Sequence, residues 1–370
     1  MVYIACFLAS ALMAYVASRS KDRTMIILCS VLCILIPCVL GGLRDHGIGT
    51  DTITYGYPNC RVALRAKDFL SFLVATKQEI GYGALCYSIM KTLGHQNWCY
   101  FAYQLLTVSC VYIGLYRHKE KISLPFALLI WFFIFYNQTY NIMRQTMAAS
   151  IVFMGFSSLE SRRYSKFMLY VFVAFLFHKS ALLALPLVMG MYIVITSEAV
   201  RKNAWLKLLT FYGSICFLFL VRNIFFMVIR SIPLLSKYIY YFESKYNEVK
   251  ITVVMLAIML GEFLIMTLYS KGASRVLSGE GANRNDAEFY RFNVLFCLVF
   301  QVAVRFFTER ILLYSELINV MLLAALPCFV REKNLRFIVR VGVLFATAFY
   351  WYWVFVKGKS SETWPYRSIL

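Results

Sequence analysis

Apolar residues recur along this chain in runs long enough to form membrane helices, with short polar clusters between them. The runs lie near 3–17, 25–42, 98–116, 124–136, 142–158, 166–177, 179–196, 205–222, 250–270, 290–307, 311–329 and 336–356. They predict an all-α, polytopic integral membrane protein of about twelve transmembrane helices. Several runs are shorter than the roughly 20 residues that span a bilayer, so flanking aromatics must extend them. Residues 1–17 lack a basic leading region and run directly into the polar stretch 18–23, which predicts a first membrane helix and not a cleaved signal peptide.

The polar connections orient these helices. SRSKDR (18–23), RHKEK (117–121), ESRRYSK (160–166), EAVRKNAWLK (198–207), the stretch 271–291 and REKNLR (331–336) are short, basic and fall on alternate connections, which places them in the cytoplasm. Both termini then lie outside. The segment 80–94, IGYGALCYSIMKTLG, breaks this alternation if it crosses the membrane, so it is read as re-entrant or surface-lying; the other reading is a true crossing with a local breach of the charge rule. The whole chain, 1–370, forms one transmembrane domain with two long outer loops, 43–97 and 223–249. In the second, Phe225, Phe226, Val228, Ile229 and Ile232 recur near helical spacing before Pro233. That pattern predicts an interfacial amphipathic helix, either an anchoring belt or the lining of a lipid or glycan entrance.

Composition agrees with the pattern. At 61% hydrophobic and 15% charged residues, the chain is too apolar for a soluble protein of its 370 residues. The net charge of +20, from 38 basic and 18 acidic residues, sits in the short cytoplasmic clusters and builds no nucleic-acid groove. The eleven cysteines are scattered mostly through apolar runs without metal-site or disulfide-framework spacing, and read as small buried hydrophobes.

With the topology drawn, the unusual polar residues gather on the outer face. RDHGIGTDTITY (44–55) follows directly on the second apolar run and carries Arg44, Asp45 and Asp51. Asn141, Arg144 and Gln145 stand at the start of the helix from 142, His178 sits in the tight turn FHKS, and Arg305, Glu309 and Arg310 occupy FFTERILLY. Charges at a hydrocarbon boundary are costly unless solvated or paired, so this grouping predicts a polar chamber. Gly47 and Gly49 suit tight turns and close backbone approach. Asp51 and Thr52 also suit capping of the short element that begins at Thr52.

RDHGIGTDTITY, EIGYGALCY (79–87), NIMRQTMAAS (141–150), FHKSALLALP (177–186) and ERILLY (309–314), in this order and at these membrane positions, resemble the EpsG family of Wzy-type polysaccharide polymerases. The resemblance covers nearly the whole chain. Ser315 after Tyr314 departs from the family's frequent aromatic at that position. The resemblance implies a glycosyltransferase of GT-C-like architecture in the bacterial inner membrane. Its partners would be undecaprenyl-diphosphate-linked oligosaccharides, joined at the periplasmic face, and a Wzz-like chain-length regulator. It also implies inversion at the anomeric carbon, with no metal and no cofactor.

The residue chemistry fits that class. Arginine binds diphosphate oxygens in bidentate fashion and stays charged, which makes Arg44, Arg144 and Arg310 the candidates to hold the departing diphosphate, with Arg305, Asn141, Gln145 and Tyr314 beside them. An acceptor hydroxyl needs a base, and His178, Asp45, Asp51 and Glu79 are available. His178 equally suits a turn-capping role. Tyr55 and Tyr82 offer rings for sugar stacking or for interfacial anchoring. Two other functions compete. An O-antigen ligase shares the donor but usually carries one larger outer domain. A flippase or transporter places ionisable groups near mid-bilayer, where Glu262 is the acidic residue that fits.

Overall fold

A computed structural model describes residues 1–203, 313–330 and 332–369, together with positions 205, 206, 209, 210, 213, 227 and 231. Among the described residues the chain is helical, with no strand beyond an isolated bridge between Arg44 and Ser368. It divides into two compact units, Met1–Leu185 with Leu323–Leu370, and Pro186–Leu322. The first unit contains α1 (Val2–Arg19), α2 (Arg23–Gly42), α3 (Tyr57–Arg65), α4 (Phe69–Thr76), α5 (Ile80–Leu93), α6 (Gln96–Tyr116), α7 (Leu124–Ile134), α8 (Met143–Glu160) and α9 (Tyr164–Phe175). The described part of the second holds α10 (Met191–Thr196), α11 (Glu198–Lys202) and most of α12 (Leu313–Ala325), after which α13 (Lys333–Trp351) belongs again to the first.

Among the described residues, four helices are long and apolar enough to cross a membrane: Val2–Arg19, Arg23–Gly42, Gln96–Tyr116 and Lys333–Lys357, the last being α13 with its continuation. Shorter apolar helices follow at Leu124–Ile134, Tyr164–Phe175, Lys179–Val194 and Glu316–Cys328. The expected crossings 250–270 and 290–307, most of 205–222, the outer loop 223–249, the linker 271–289 and Glu262 lie outside the described residues. The segment 43–97, expected as the first outer loop, is itself helical, containing α3, α4 and α5. At about 1.5 Å per residue, the 14 residues of α5 reach roughly 21 Å, short of the ~30 Å hydrocarbon layer.

The pairing of α1 with α2 shows how the sequence solves a backbone problem in an apolar setting. Asp22 caps α2 by accepting from the N–H groups of Thr24 and Met25 at 3.2 and 3.1 Å. Pro37, inside α2, has no N–H to give the carbonyl of Cys33 four residues earlier. The Ser10 hydroxyl on α1 takes that role, donating to the Cys33 oxygen at 2.6 Å. Small buried residues of α1, Ser10, Ala11, Ala14 and Ala17, line the close approach this requires.

The two ends of the first unit differ in chemistry. At one end α6 finishes in Arg117, and His118 meets Glu160 at 2.6 Å, with Lys121 at 3.4 Å from the same carboxylate. The clusters RHKEK and ESRRYSK therefore meet at a common end. At the other end α6 begins, where Asn97 donates to the carbonyls of Gly42 and Arg44 at 2.6 and 3.0 Å and so satisfies the C-terminus of α2. The segment 359–369 folds over this second end. The backbone N–H of Asp45 donates to the Arg367 carbonyl at 2.9 Å, that of Gly49 to the Glu362 carbonyl at 3.1 Å, and that of Ile369 to the Leu43 carbonyl at 3.0 Å. An aromatic core of Tyr3, Phe7, Phe132, Tyr136 and Trp351 lies beneath it, with Tyr3 donating to the Thr363 carbonyl at 2.9 Å.

Candidate functional site

At the end of the first unit covered by 359–369, residues from four separate stretches of sequence converge. The anchor is Arg144, in the first turn of α8. Its Nη1 lies 2.7 Å from Oε2 of Glu79, in the turn before α5. Its guanidinium stacks over the Tyr55 ring at 4.5 Å and lies 6.0 Å from that of Tyr82. Its Nε is buried without a hydrogen-bond partner. The group thus keeps one unused donor and remains 24% exposed, while Glu79 is 12% exposed.

Asp51 links the first outer segment to the same place. Its Oδ2 accepts from the Tyr55 hydroxyl and, at 3.2 Å, from the backbone N–H of Met143, the first residue of α8. The expectation that Asp51 caps the element beginning at Thr52 is corrected: it makes no side-chain cap there and instead caps a helix 92 residues away. A carboxylate at a helix N-terminus also opposes the helix dipole favourably. Burial, and then the Asp51 carboxylate, push the Tyr55 phenol well above its ordinary range, so Tyr55 remains a donor throughout the neutral range.

Arg44 occupies a different environment from the one expected of a diphosphate ligand. It is 1% exposed and lies between the rings of Tyr100 and Tyr140, each centroid 4.5 Å from its Cζ. It donates to the Gly41 carbonyl at 2.8 Å and approaches Thr52 Oγ1 and Met143 Sδ at 3.4 and 3.3 Å. This is a clamp joining the end of α2, the Thr52 turn and the start of α8, not a group lining an open chamber. Tyr82 is likewise buried, stacked on Tyr103 at 4.9 Å, so its ring faces protein instead of offering a sugar platform. Tyr55 is half-buried and keeps that option.

Two glycines permit the convergence. Gly49 has φ of +87°, and a Cβ there would stand 2.4 Å from the Tyr140 carbonyl oxygen. Gly81 donates to the Leu176 carbonyl at 2.7 Å, and a Cβ on it would sit 2.8 Å from that oxygen. The second contact brings the start of α5, and with it Glu79, against the turn that carries His178.

His178 precedes the 3₁₀ turn Lys179–Leu183, and its Nδ1 accepts from the Ser180 N–H at 3.2 Å. The same Nδ1 lies 2.7 Å from Ser180 Oγ, so the imidazole is held against its own turn and the capping alternative is realised. Asp45 accepts from the Gly47 N–H at 2.8 Å and lies 3.4 Å from His46, away from the Arg144 group. Asn141 ends the turn Tyr136–Tyr140, and Gln145 is buried in α8. Tyr314 is buried at 3% exposure in α12, within the second unit. Arg305, Glu309 and Arg310 lie outside the described residues. Reasoning from sequence passed over Tyr100, Tyr140, Asn97 and Arg367. For Tyr100, Tyr140 and Asn97 the one visible signal was position, an aromatic or amide near a helix end; Arg367 carried none.

The model of the EpsG family matches residues 2–368. No curated protein and no solved structure matches the chain.

Proposed function

Because this chain belongs to the EpsG family, we propose that it is a membrane glycosyltransferase of the Wzy-type polymerase class, joining lipid-diphosphate-linked oligosaccharide units at the outer face of the bacterial inner membrane. The observation that carries this reading is Arg144. It is a partly exposed guanidinium with an unused donor, stacked on Tyr55 and paired with Glu79, at the end of the unit opposite the basic clusters. A fixed cation of this kind stabilises the charge that develops on a departing diphosphate.

In the proposed reaction, the bond between the anomeric carbon of the growing chain and its lipid diphosphate breaks as the acceptor hydroxyl of a new unit attacks. Arg144 takes the released diphosphate charge, and Glu79 receives the acceptor proton. Glu79 is placed for that role by position, its carboxylate lying beside the guanidinium that meets the diphosphate, whereas Asp51 is engaged by Tyr55 and Met143. Arg44 and Asp51 act as positioning residues that hold Tyr55 and α8 in place. The extended glycan remains on the lipid diphosphate of the new unit and the donor's lipid diphosphate is released, with inversion at the transferred carbon. About twelve crossings with both termini outside complete the proposed topology.

The test is to incubate purified protein with lipid-linked repeat units and resolve the products by size. A ladder of extended chains supports the assignment. Its absence, under conditions in which a known polymerase makes one, overturns it.

A further inference from the structure

Beside the Arg144 group, three helices bring three cysteines to one point. Cys60 on α3, Cys86 on α5 and Cys99 on α6 are at most 1% exposed, and their sulfurs all lie within 4.8 Å of one another. The Cys60 and Cys86 sulfurs are 3.9 Å apart. Around them are buried tyrosines, Tyr82, Tyr100 and Tyr103, whose hydroxyls make no hydrogen bond of ordinary geometry. A buried hydroxyl without a partner is costly, and three around one sulfur cluster ask for an acceptor. Neutral thiols are weak acceptors, and metal-bound thiolates are much stronger ones.

The 3.9 Å between the Cys60 and Cys86 sulfurs is the spacing of a ligand pair, and the Cys99 sulfur lies within 4.8 Å of both. With metal–sulfur bonds of about 2.3 Å, sulfurs in a planar triangle stand about 4.0 Å apart, and in a pyramidal array about 3.8 Å. Among the described residues no fourth His, Cys, Asp or Glu joins the group. Zinc ordinarily takes four ligands, while soft sulfur donors select monovalent copper.

We propose that Cys60, Cys86 and Cys99 form a three-sulfur site for a thiophilic cation, with Cu(I) as its occupant. Binding displaces the thiol protons to solvent and joins the cation to the sulfurs without change of oxidation state. The bound ion ties α3 and α5 to α6, and so fixes the segment that carries Tyr55 and Glu79 relative to Arg144.

The experiment uses the full-length protein in detergent under reducing conditions, titrated with Cu(I) against a chromophoric Cu(I) chelator. Wild type should retain one Cu(I) per chain, with X-ray absorption showing three sulfurs at about 2.3 Å. Cys60→Ser, Cys86→Ser and Cys99→Ser should each weaken retention by at least the roughly ten- to hundred-fold that loss of an outer-shell partner costs. Cys110→Ser, a buried cysteine elsewhere on α6, should leave retention unchanged. If a serine variant does not fold, the sulfur count in wild type decides. A wild type that holds no Cu(I) against the chelator overturns the proposal, as does a Cys60–Cys86 disulfide in the isolated protein. Zinc that persists through copper loading overturns Cu(I) as the occupant.

Discussion

The carboxylate of Asp51 accepts the backbone N–H of Met143 at 3.2 Å, so a residue of the first outer segment caps the helix that presents Arg144. The capped residue immediately precedes the arginine, and any loosening of the cap tilts the guanidinium. Asp51→Ala should cost about 1 kcal/mol of stability, the usual value of a lost cap, and should lower polymer formation further by displacing Arg144. Asp51→Asn retains the acceptor and should recover most of the stability. Thermal unfolding in detergent, run beside the ladder assay, separates the two effects; equal stability of the alanine and asparagine variants would remove the cap from the argument.

Arg144 and Glu79 are the pair on which the proposed chemistry depends. Arg144→Ala should reduce polymerisation by roughly 10²- to 10³-fold, the scale found when one preorganised donor to developing charge is removed. Arg144→Lys should rescue little, because an ammonium cannot stack on Tyr55 and bind bidentately at once. Glu79→Gln keeps the shape and removes the base. Initial rates of ladder growth, normalised to folded protein, are the measurement, and full activity in Glu79→Gln would reassign the proton acceptor.

Arg44 acts through position, and its substitution should register first in stability. Arg44→Lys loses two stacked aromatic contacts, each worth about 1–2 kcal/mol when desolvated, so a loss of about 2 kcal/mol or more is expected. Chemical or thermal unfolding of the purified protein reads this directly. A lysine variant as stable as wild type, with activity lost, would instead make Arg44 a ligand of substrate.

Ser10 and Pro37 form a compensating pair across α1 and α2. Ser10→Ala leaves the Cys33 carbonyl buried and unpaired, which should cost about 1–3 kcal/mol. Pro37→Ala restores an N–H four residues beyond that carbonyl, so the double variant should regain much of the loss. A double-mutant cycle on the unfolding midpoint checks this, and simple additivity of the two changes would contradict it.

His178 offers a division between capping and chemistry. Asparagine at 178 presents an acceptor oxygen where Nδ1 now receives the Ser180 N–H, so His178→Asn should stay within a few tenths of a kcal/mol of wild type, whereas His178→Ala should lose about 1 kcal/mol. If the imidazole serves the reaction, both variants lose activity despite this difference. An active His178→Asn would confine the residue to its turn.

Much of the architecture was legible because membrane segments are written in local composition. The four long apolar helices coincide with runs visible in the sequence, and Asp22, ahead of a long apolar run, carries the ordinary signature of a helix start. The meeting of His118 with Glu160 was legible at low resolution, since both lie in basic clusters assigned to one face. The site was legible as a list of polar residues, and RDHGIGTDTITY stood out from its surroundings. What each residue touches was not. Arg44 and Arg144 look alike in sequence, and the difference between a buried clamp and a partly exposed cation arises from Tyr100 and Tyr140, which belong to other segments.

The sequence by itself determined the solvent of this protein, the helical class and the approximate ends of its long helices. Each of these depends on the transfer of nearby side chains and backbone groups between water and hydrocarbon, a local sum over a window of residues. Tertiary structure alone decided that Asp51 caps α8, that Ser10 completes the hydrogen bond Pro37 leaves open, that residues 359–369 cover the first outer segment, and that three cysteines from three helices share one point. Those are partnerships between groups far apart in the chain. Their pairing follows from how the helices pack, because a buried polar group takes the partner that packing brings within reach.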